Sequence, residues 1–266
     1  MKIVQHGRYQ IPGLERGLRV AEYLSTMPAG ATLTEIAAAL KIPKNSVFRI
    51  TSTLLESGYI TRNENTMKFR LTRKFLVFGL AAVSDENLIE NSIASLRKLR
   101  DVTDCTAYLG TLYGAEGVIL EQAPGGHPFK VSVDLGTRFF LHSGAPGKVM
   151  LAFLPEEERE NLLNHMKFVR FNERTITDKS KFRQELAKIR QCGYAVDRAE
   201  EFAGIHCVGA PVFDRSGRMV AAIWISGQEV VLPAGKFKKY GQIVSKHAVM
   251  ISERLGYVSQ RKEERL

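Results

Sequence analysis

The first eighty residues alternate apolar stripes of helical period with short polar turns. Leu14, Leu18, Ala21 and Leu24 recur every three or four positions, which predicts an amphipathic helix over 14–27 with that stripe facing inward. Pro28-Ala29-Gly30 ends it. Thr34 reads as the N-cap of a short second helix, with Glu35 near the positive end of the helix dipole and Ile36, Ala37 and Leu40 on the buried side. Lys41-Ile42-Pro43 makes a tight turn, and Pro43 suits the first position of a third helix. Val47, Ile50, Leu54 and Leu55 form the inward stripe of that helix, leaving Lys44, Asn45, Ser46, Phe48, Arg49, Ser52 and Thr53 outside. Gly58 stops it as a C′ residue. Two strand-like segments, 59–61 and 67–71, then flank a polar turn. The pattern is a helix-turn-helix with a β-hairpin wing.

Beyond it, residues 71–84 are apolar and helix-compatible (Phe75, Leu76, Phe78), and are read as a connector helix. Residues 88–102 form an amphipathic helix with Ile89, Ile93, Leu96 and Leu99 on one side. Alternating segments 106–112 and 118–123 pair across a turn over 113–117, and 129–133 is read as a further short strand. Helices follow over 148–153 and, opened by Pro155, over 156–165. Asp178 caps another that runs to Cys192, where Gly193 is a stop signal. Segments 208–213 and 219–226 pair around Asp214-Arg215-Ser216-Gly217, and a closing helix covers 235–255. Strands and helices without regular βαβ alternation imply an α+β domain on an antiparallel sheet. The expected organisation is a winged helix-turn-helix domain (1–70, mainly α with a β wing), a connector (71–84), a second domain (85–258) and a charged tail (259–266).

Composition narrows the class. Of 266 residues, 44% are hydrophobic and 25% charged, which excludes a mainly disordered or collagen-like chain. No apolar run is long enough to span a bilayer, and the start lacks the apolar core of a signal peptide. A soluble cytoplasmic protein without a membrane partner is expected. Cys105, Cys192 and Cys207 are widely spaced with no CxxC pair, implying neither a disulfide framework nor a zinc ribbon, and no metal or cofactor is expected. The net charge of +10 is uneven: residues 1–84 carry 12 basic and 5 acidic side chains, so +7 of it lies in the first third. A polyanion partner for that segment follows, with double-stranded DNA the leading candidate. In the third helix Asn45 and Arg49 have the chemistry to read base edges, while Lys44, Ser46 and Ser52 can reach phosphates. Phe48 shares that face, and Arg62 and Lys68 belong to the wing.

Gly13-Leu14-Glu15-Arg16-Gly17-Leu18-Arg19-Val20, Leu33-Thr34-Glu35-Ile36-Ala37, Pro43-Lys44-Asn45-Ser46-Val47-Phe48-Arg49 and Gly58-Tyr59-Ile60 resemble the DNA-binding domain of the IclR family of bacterial transcriptional regulators. The resemblance continues through Leu141-His142-Ser143-Gly144-Ala145-Pro146-Gly147-Lys148, Asp197-Arg198-Ala199-Glu200-Glu201, Cys207 to Pro211, and Ile225-Ser226-Gly227, covering about residues 11–256. It implies a GAF/profilin-like effector domain and a homo-oligomer, dimer or tetramer. It also implies an effector site built from Gly144, Ala145, Asp197, Cys207 and Ser226. Family habit points to a repressor of a catabolic operon for small organic or sugar acids, although activators share these motifs. Backbone N–H groups in a small-residue turn at a helix N-terminus suit a carboxylate, and Asp197 and Ser226 suit hydroxyls. Trp224, the only tryptophan, stands where the family often has a small polar residue. Its indole either fills the pocket, stacks on a ligand, or is plain core.

Catalytic readings are weaker. Gly147-Lys148 evokes a phosphate loop, but the first glycine would fall at His142 and Val149 replaces the magnesium-binding Ser/Thr. His206 and Cys207 are adjacent on a strand and point to opposite faces, so they form no dyad. Asp197, Glu200 and Glu201 have no evident paired nucleophile. Lys148 reads as a structural cap or ion-pair partner. The chain is therefore expected not to be an enzyme. The alternatives are a metabolite-binding enzyme or storage module with a basic first domain, and a regulator sensing metal or redox state through its cysteines.

Overall fold

The computed structural model describes residues 11–83, 88–128 and 130–258. The chain divides into two compact units, 1–85 and 86–266. The expected tail 259–266, Ser84 and Phe129 lie outside the described residues.

In the first unit α1 (Pro12–Ser25), α2 (Leu33–Leu40) and α3 (Lys44–Glu56) surround a core of Val20, Leu24, Ile36, Ile42, Val47, Ile60 and Phe69. α2 begins one residue before Thr34, so the expected cap is corrected. Thr32 is the N-cap: its hydroxyl accepts from the Glu35 N–H, and the Glu35 carboxylate accepts from the Thr32 N–H at 2.7 Å. This reciprocal box satisfies two otherwise orphaned donors, which Thr34 inside the first turn cannot do. Strand β1 (Ala31–Thr32) leads into it and pairs with β3 (Lys68–Leu71), which also pairs with β2 (Ile60–Arg62). The wing is thus the expected hairpin with an unforeseen third strand. The inward stripe of α1 is also corrected: Leu14 and Leu18 are more than half exposed, and Val20, Ala21 and Leu24 carry the burial. α4 (Lys74–Val83) starts three residues later than the expected connector, because Leu71 ends β3 and the Thr72 hydroxyl accepts from the Lys74 N–H.

The second unit is built on one antiparallel six-stranded sheet in the order β6-β5-β4-β9-β8-β7. These strands are β4 (Thr106–Tyr113), β5 (Glu116–Ala123), β6 (Arg138–Phe140), β7 (Ala195–Arg198), β8 (Ile205–Phe213) and β9 (Met219–Gln228). α5 (Leu88–Thr103) packs on β4 and β5, and α9 (Phe237–Arg254) on β8 and on α5. On the cluster shared with Cys207, Phe139 and Ala222 lie α6 (Ala145–Phe153), α7 (Glu156–His165) and α8 (Lys179–Cys192). The α8 signals act as read: the Asp178 carboxylate accepts from the Lys181 N–H, and Gly193 closes the helix at φ +81°. The buried stripe of α5 includes Ser92, Ser95 and Thr103 beside Leu96 and Leu99, whereas Ile89 and Ile93 are only half-buried. The expected strand over 129–133 is absent from the described residues 130–133. That segment instead lies beside β4 and β5, where the Tyr108 hydroxyl donates to the Val131 carbonyl and the Gln122 side chain donates to that of Val133.

Candidate functional site

On the first unit, α2, the Lys41–Pro43 turn and α3 form the helix-turn-helix. Lys41 caps α2 in the left-handed region at φ 54°, which reverses the chain tightly enough for Ile42 N–H to reach the Ala37 carbonyl. Val47 and Thr51 turn into the core, the Thr51 hydroxyl satisfying itself on the Val47 carbonyl. That rotation leaves Lys44, Asn45, Phe48 and Arg49 exposed, with Ser46 and Ser52 half-buried at the margins. Phe48 is 60% exposed and shares the outward face with Lys44, Asn45 and Arg49. Among the described residues Lys44 and Arg49 make no ion pair, so their charges face outward uncompensated. The wing differs. Arg62 is engaged by Glu64 at 2.9 Å, and Lys68 lies beside Glu35, whose carboxyl is held below the usual range chiefly by the Thr32 N–H. Among the described residues α3 thus presents two basic side chains without an ion pair, Lys44 and Arg49, on its outward face.

On the second unit the sheet register aligns the remaining candidates. Thr106 pairs with Ser226, Ser226 with Cys207, and Cys207 with Asp197, so one polar row crosses β4, β9, β8 and β7 on a single face. Two residues along each strand, on the same face, Tyr108 pairs with Trp224 and Trp224 with Gly209. Ala145, at the start of α6, belongs to the cluster that covers Cys207, and its backbone lies close over Gly209. α6 has no side-chain cap at Gly144, and Pro146 has no N–H. The first-turn amides of Ala145 and Gly147 belong to the class that lacks an intrahelical acceptor. Gly147 is required by packing: a Cβ there would sit 2.4 Å from the Leu141 Cα. Of the six sequence-derived positions, Ala145, Asp197, Cys207, Trp224 and Ser226 thus gather on one face, and Gly144 precedes Ala145 as the N-cap of α6.

Asp197 is 4% exposed, and one carboxylate oxygen accepts from the Glu200 N–H at 2.8 Å. Burial raises its pKa to about 7, opposed by that hydrogen bond and the nearby Lys148 charge. Cys207 and Ser226 are 3.1 Å apart, and burial together with Asp197 pushes the thiol well above its usual value, so it is not a poised nucleophile. The turn after Asp197 is held open by Ala199 in the left-handed region, φ 60°, whose carbonyl accepts from the Asn172 side chain. Lys148 is fully buried and donates to Glu200 and to the Val196 carbonyl, the structural pairing expected of it. Ser143 donates to Glu201 at 2.6 Å and ties the α6 approach to the same turn. His206 faces away, against Phe237 and the Leu232 carbonyl, as strand alternation requires. Trp224 is 4% exposed, stacked on Tyr108 with centroids 5.1 Å apart and met edge-on by Phe139.

Sequence reading missed Thr106, Tyr108 and Phe139 as neighbours of this patch. The alternation of Thr106 and Tyr108 was visible, but their relation to Ser226 and Trp224 depends on β4 pairing with a strand over a hundred residues away. Among the described residues no three His, Cys, Asp or Glu side chains are grouped to hold a metal. Cys105 abuts Gly227, its thiol raised by burial to about 11. No helix of the described residues is long and apolar enough to cross a membrane.

A winged helix-turn-helix joined to an α+β domain on an antiparallel sheet defines a two-domain DNA-binding regulator. The helix-turn-helix model of the IclR family matches residues 13–64, and the model of the C-terminal part of bacterial IclR regulators matches residues 80–253. The chain belongs to the IclR family of bacterial transcriptional regulators, which are DNA-binding proteins rather than enzymes. It is 33% identical to the HTH-type transcriptional regulator BhcR of Paracoccus denitrificans, over 82% of this chain and 77% of that protein. Its fold matches the crystal structure of Thermotoga maritima IclR with a TM-score of 0.70 and 29% identity, over 93% of this chain and all of the other. An IclR homologue from Microbacterium hydrocarbonoxydans, solved in complex with 4-hydroxybenzoate, shares the fold at a TM-score of 0.80 and 20% identity, over 91% and 98% of the two chains.

Proposed function

We propose that this protein is a repressor of a catabolic operon, relieved by a small organic acid bound at the patch of Gly144, Ala145, Asp197, Cys207, Trp224 and Ser226. The observation that carries the reading is the polar row across three adjacent strands beside an uncapped helix start. Amides at a helix N-terminus favour a carboxylate, and Ser226 and Asp197 offer a hydroxyl and a carboxyl to the rest of the ligand. The Microbacterium homologue, which binds an organic acid, supports small-acid binding by this fold. We read the second unit as a GAF/profilin-like effector domain.

DNA contact is assigned to Lys44, Asn45, Ser46, Phe48, Arg49 and Ser52 on α3, with Arg62 and Lys68 of the wing against the backbone. α3 enters the major groove, where Asn45 and Arg49 read base edges and the Phe48 ring meets a thymine methyl. Paired half-sites need two copies. A groove of about 860 Å³ on the first unit, lined by Leu14, Leu18, Phe75 and Phe78, supports self-association there. Effector acts by binding unequally to the arrangements of the DNA-binding units that α4 links to the second domain.

The test is a DNA titration of the full chain with a panel of small hydroxy, oxo and aromatic acids. Ser226→Ala and Asp197→Ala should keep the DNA affinity and lose the response to whichever acid releases the wild-type protein. Full response in both variants contradicts the site, and an acid that tightens rather than weakens DNA binding contradicts relief by the effector.

A further inference from the structure

The Trp224 indole occupies space that the surrounding sequence keeps clear for it. Its cross-strand neighbour on β8 is Gly209, where a Cβ would come within 3.2 Å of the Trp224 Cβ. The far edge of the indole lies over Gly110 on β4, where a Cβ would sit 3.0 Å from Cη2 and Cζ3. Tyr108 stacks along one face at an interplanar angle of 13°, Phe139 presents an edge at 62°, and Tyr108 is itself anchored through its hydroxyl to the Val131 carbonyl. The ring is therefore fixed by rigid neighbours rather than free to swing aside. It stands on the same sheet face as Ser226, two residues along β9, and forms a wall beside the polar row. The start of α6 covers the cluster around Cys207, and Ser143 and Glu201 tie its approach to the turn after Asp197. A ligand that touches Ser226 and Cys207, or Cys207 and Asp197, spans one strand spacing, about 5 Å.

We propose that Trp224 sets the size limit of the effector site, admitting short aliphatic hydroxy or oxo acids and excluding aromatic and sugar acids. The inference rests on the effector site proposed above. With a small residue at 224, the vacated space, comparable to the ~150 Å³ engineered apolar cavity that accepts a benzene ring, adjoins the polar row. The glycines at 110 and 209 would then leave the widened pocket floor flat.

Isothermal titration calorimetry on the full chain tests it with glycolate, lactate, pyruvate, gluconate, 4-hydroxybenzoate and phenol as probes. Wild type should bind at least one of the short acids and bind 4-hydroxybenzoate and gluconate at least tenfold more weakly. Trp224→Ala should tighten 4-hydroxybenzoate at least tenfold, with a smaller gain for phenol, which lacks the carboxylate. Trp224→Phe keeps a ring against Tyr108, secures a folded comparison, and should show a smaller gain of the same sign. Wild type binding 4-hydroxybenzoate or gluconate as tightly as every short acid, binding none of the short acids, or no gain in either folded variant would overturn the size limit. Adding Ser226→Ala to Trp224→Ala separates the two readings. Loss of the gain ties the new binding to the polar row, whereas a gain that persists unchanged places it in a plain core cavity and refutes the effector site itself.

Discussion

Lys148→Ala should be among the most damaging single changes in the second unit. The ammonium is fully buried, donates to the Glu200 carboxylate and to the Val196 carbonyl at 3.1 Å, and stands 4.0 Å from Glu185. Glu200 is itself 4% exposed, and its second oxygen has no hydrogen-bond partner. Truncating Lys148 leaves that carboxylate buried without its main counter-charge and strands the Val196 carbonyl, for a loss of about 3–5 kcal/mol. For a unit of this size that lowers the melting temperature by on the order of 10 °C. Lys148→Met with Glu200→Gln removes both charges, keeps much of the volume, and should cost clearly less than Lys148→Ala alone. Urea denaturation followed by circular dichroism measures both. A Lys148→Ala loss below about 1 kcal/mol, or a double variant less stable than the single, would refute the reasoning.

Other expectations follow from single residues. Arg49→Ala should weaken DNA binding about tenfold or more with an unchanged unfolding curve, since the side chain is exposed; mobility-shift titration checks it. Raising salt should weaken binding steeply through counterion release, and a flat plot of log affinity against log salt would count against the positive face of α3. Asp197, with a pKa raised from 3.8 to about 7, binds a proton more tightly folded than unfolded, so its contribution is present below about pH 4 and lost as pH rises through 7. That swing is on the order of 4 kcal/mol. Asp197→Asn should flatten the fall in stability between those pH values, and identical profiles in urea midpoints would contradict the burial argument. Gly147→Ala forces the Leu141 backbone away and should cost about 2 kcal/mol or more, whereas Gly144→Ala, with φ −110° and no close neighbour beyond Pro146, should cost less, about 0.5–1 kcal/mol, because Ala is a poorer N-cap than Gly.

Local chemistry was the readable part of the sequence. Asp178 and Gly193 mark both ends of α8 because capping is decided within a few residues. The wing and the β8–β9 pair were legible because their turns lie inside the pattern. Where two local signals compete, reading failed. Thr32 and Thr34 are both plausible caps, and the reciprocal bond of Glu35, three residues beyond Thr32, decides for the first. Periodicity shows that Leu14 and Leu18 share a face, but not that this face lines an open groove instead of the core. Strands as short as β1, β6 and β7 carry too few residues to show a period, and β7 holds Asp197. The polar row itself depends on register between strands distant in sequence. Family motifs point to Asp197, Cys207 and Ser226 but not to Thr106, and only the sheet places the four side by side.

The most direct measurement is selection of DNA from a random-sequence library by the full-length protein, followed by titration of the selected site with wild type and Arg49→Ala. The expected result is a two-fold-related sequence with half-sites about one helical turn apart, bound at least tenfold more weakly by the variant. A library that yields no enriched sequence, or a selected site that Arg49→Ala binds as tightly as wild type, would contradict recognition of DNA through α3.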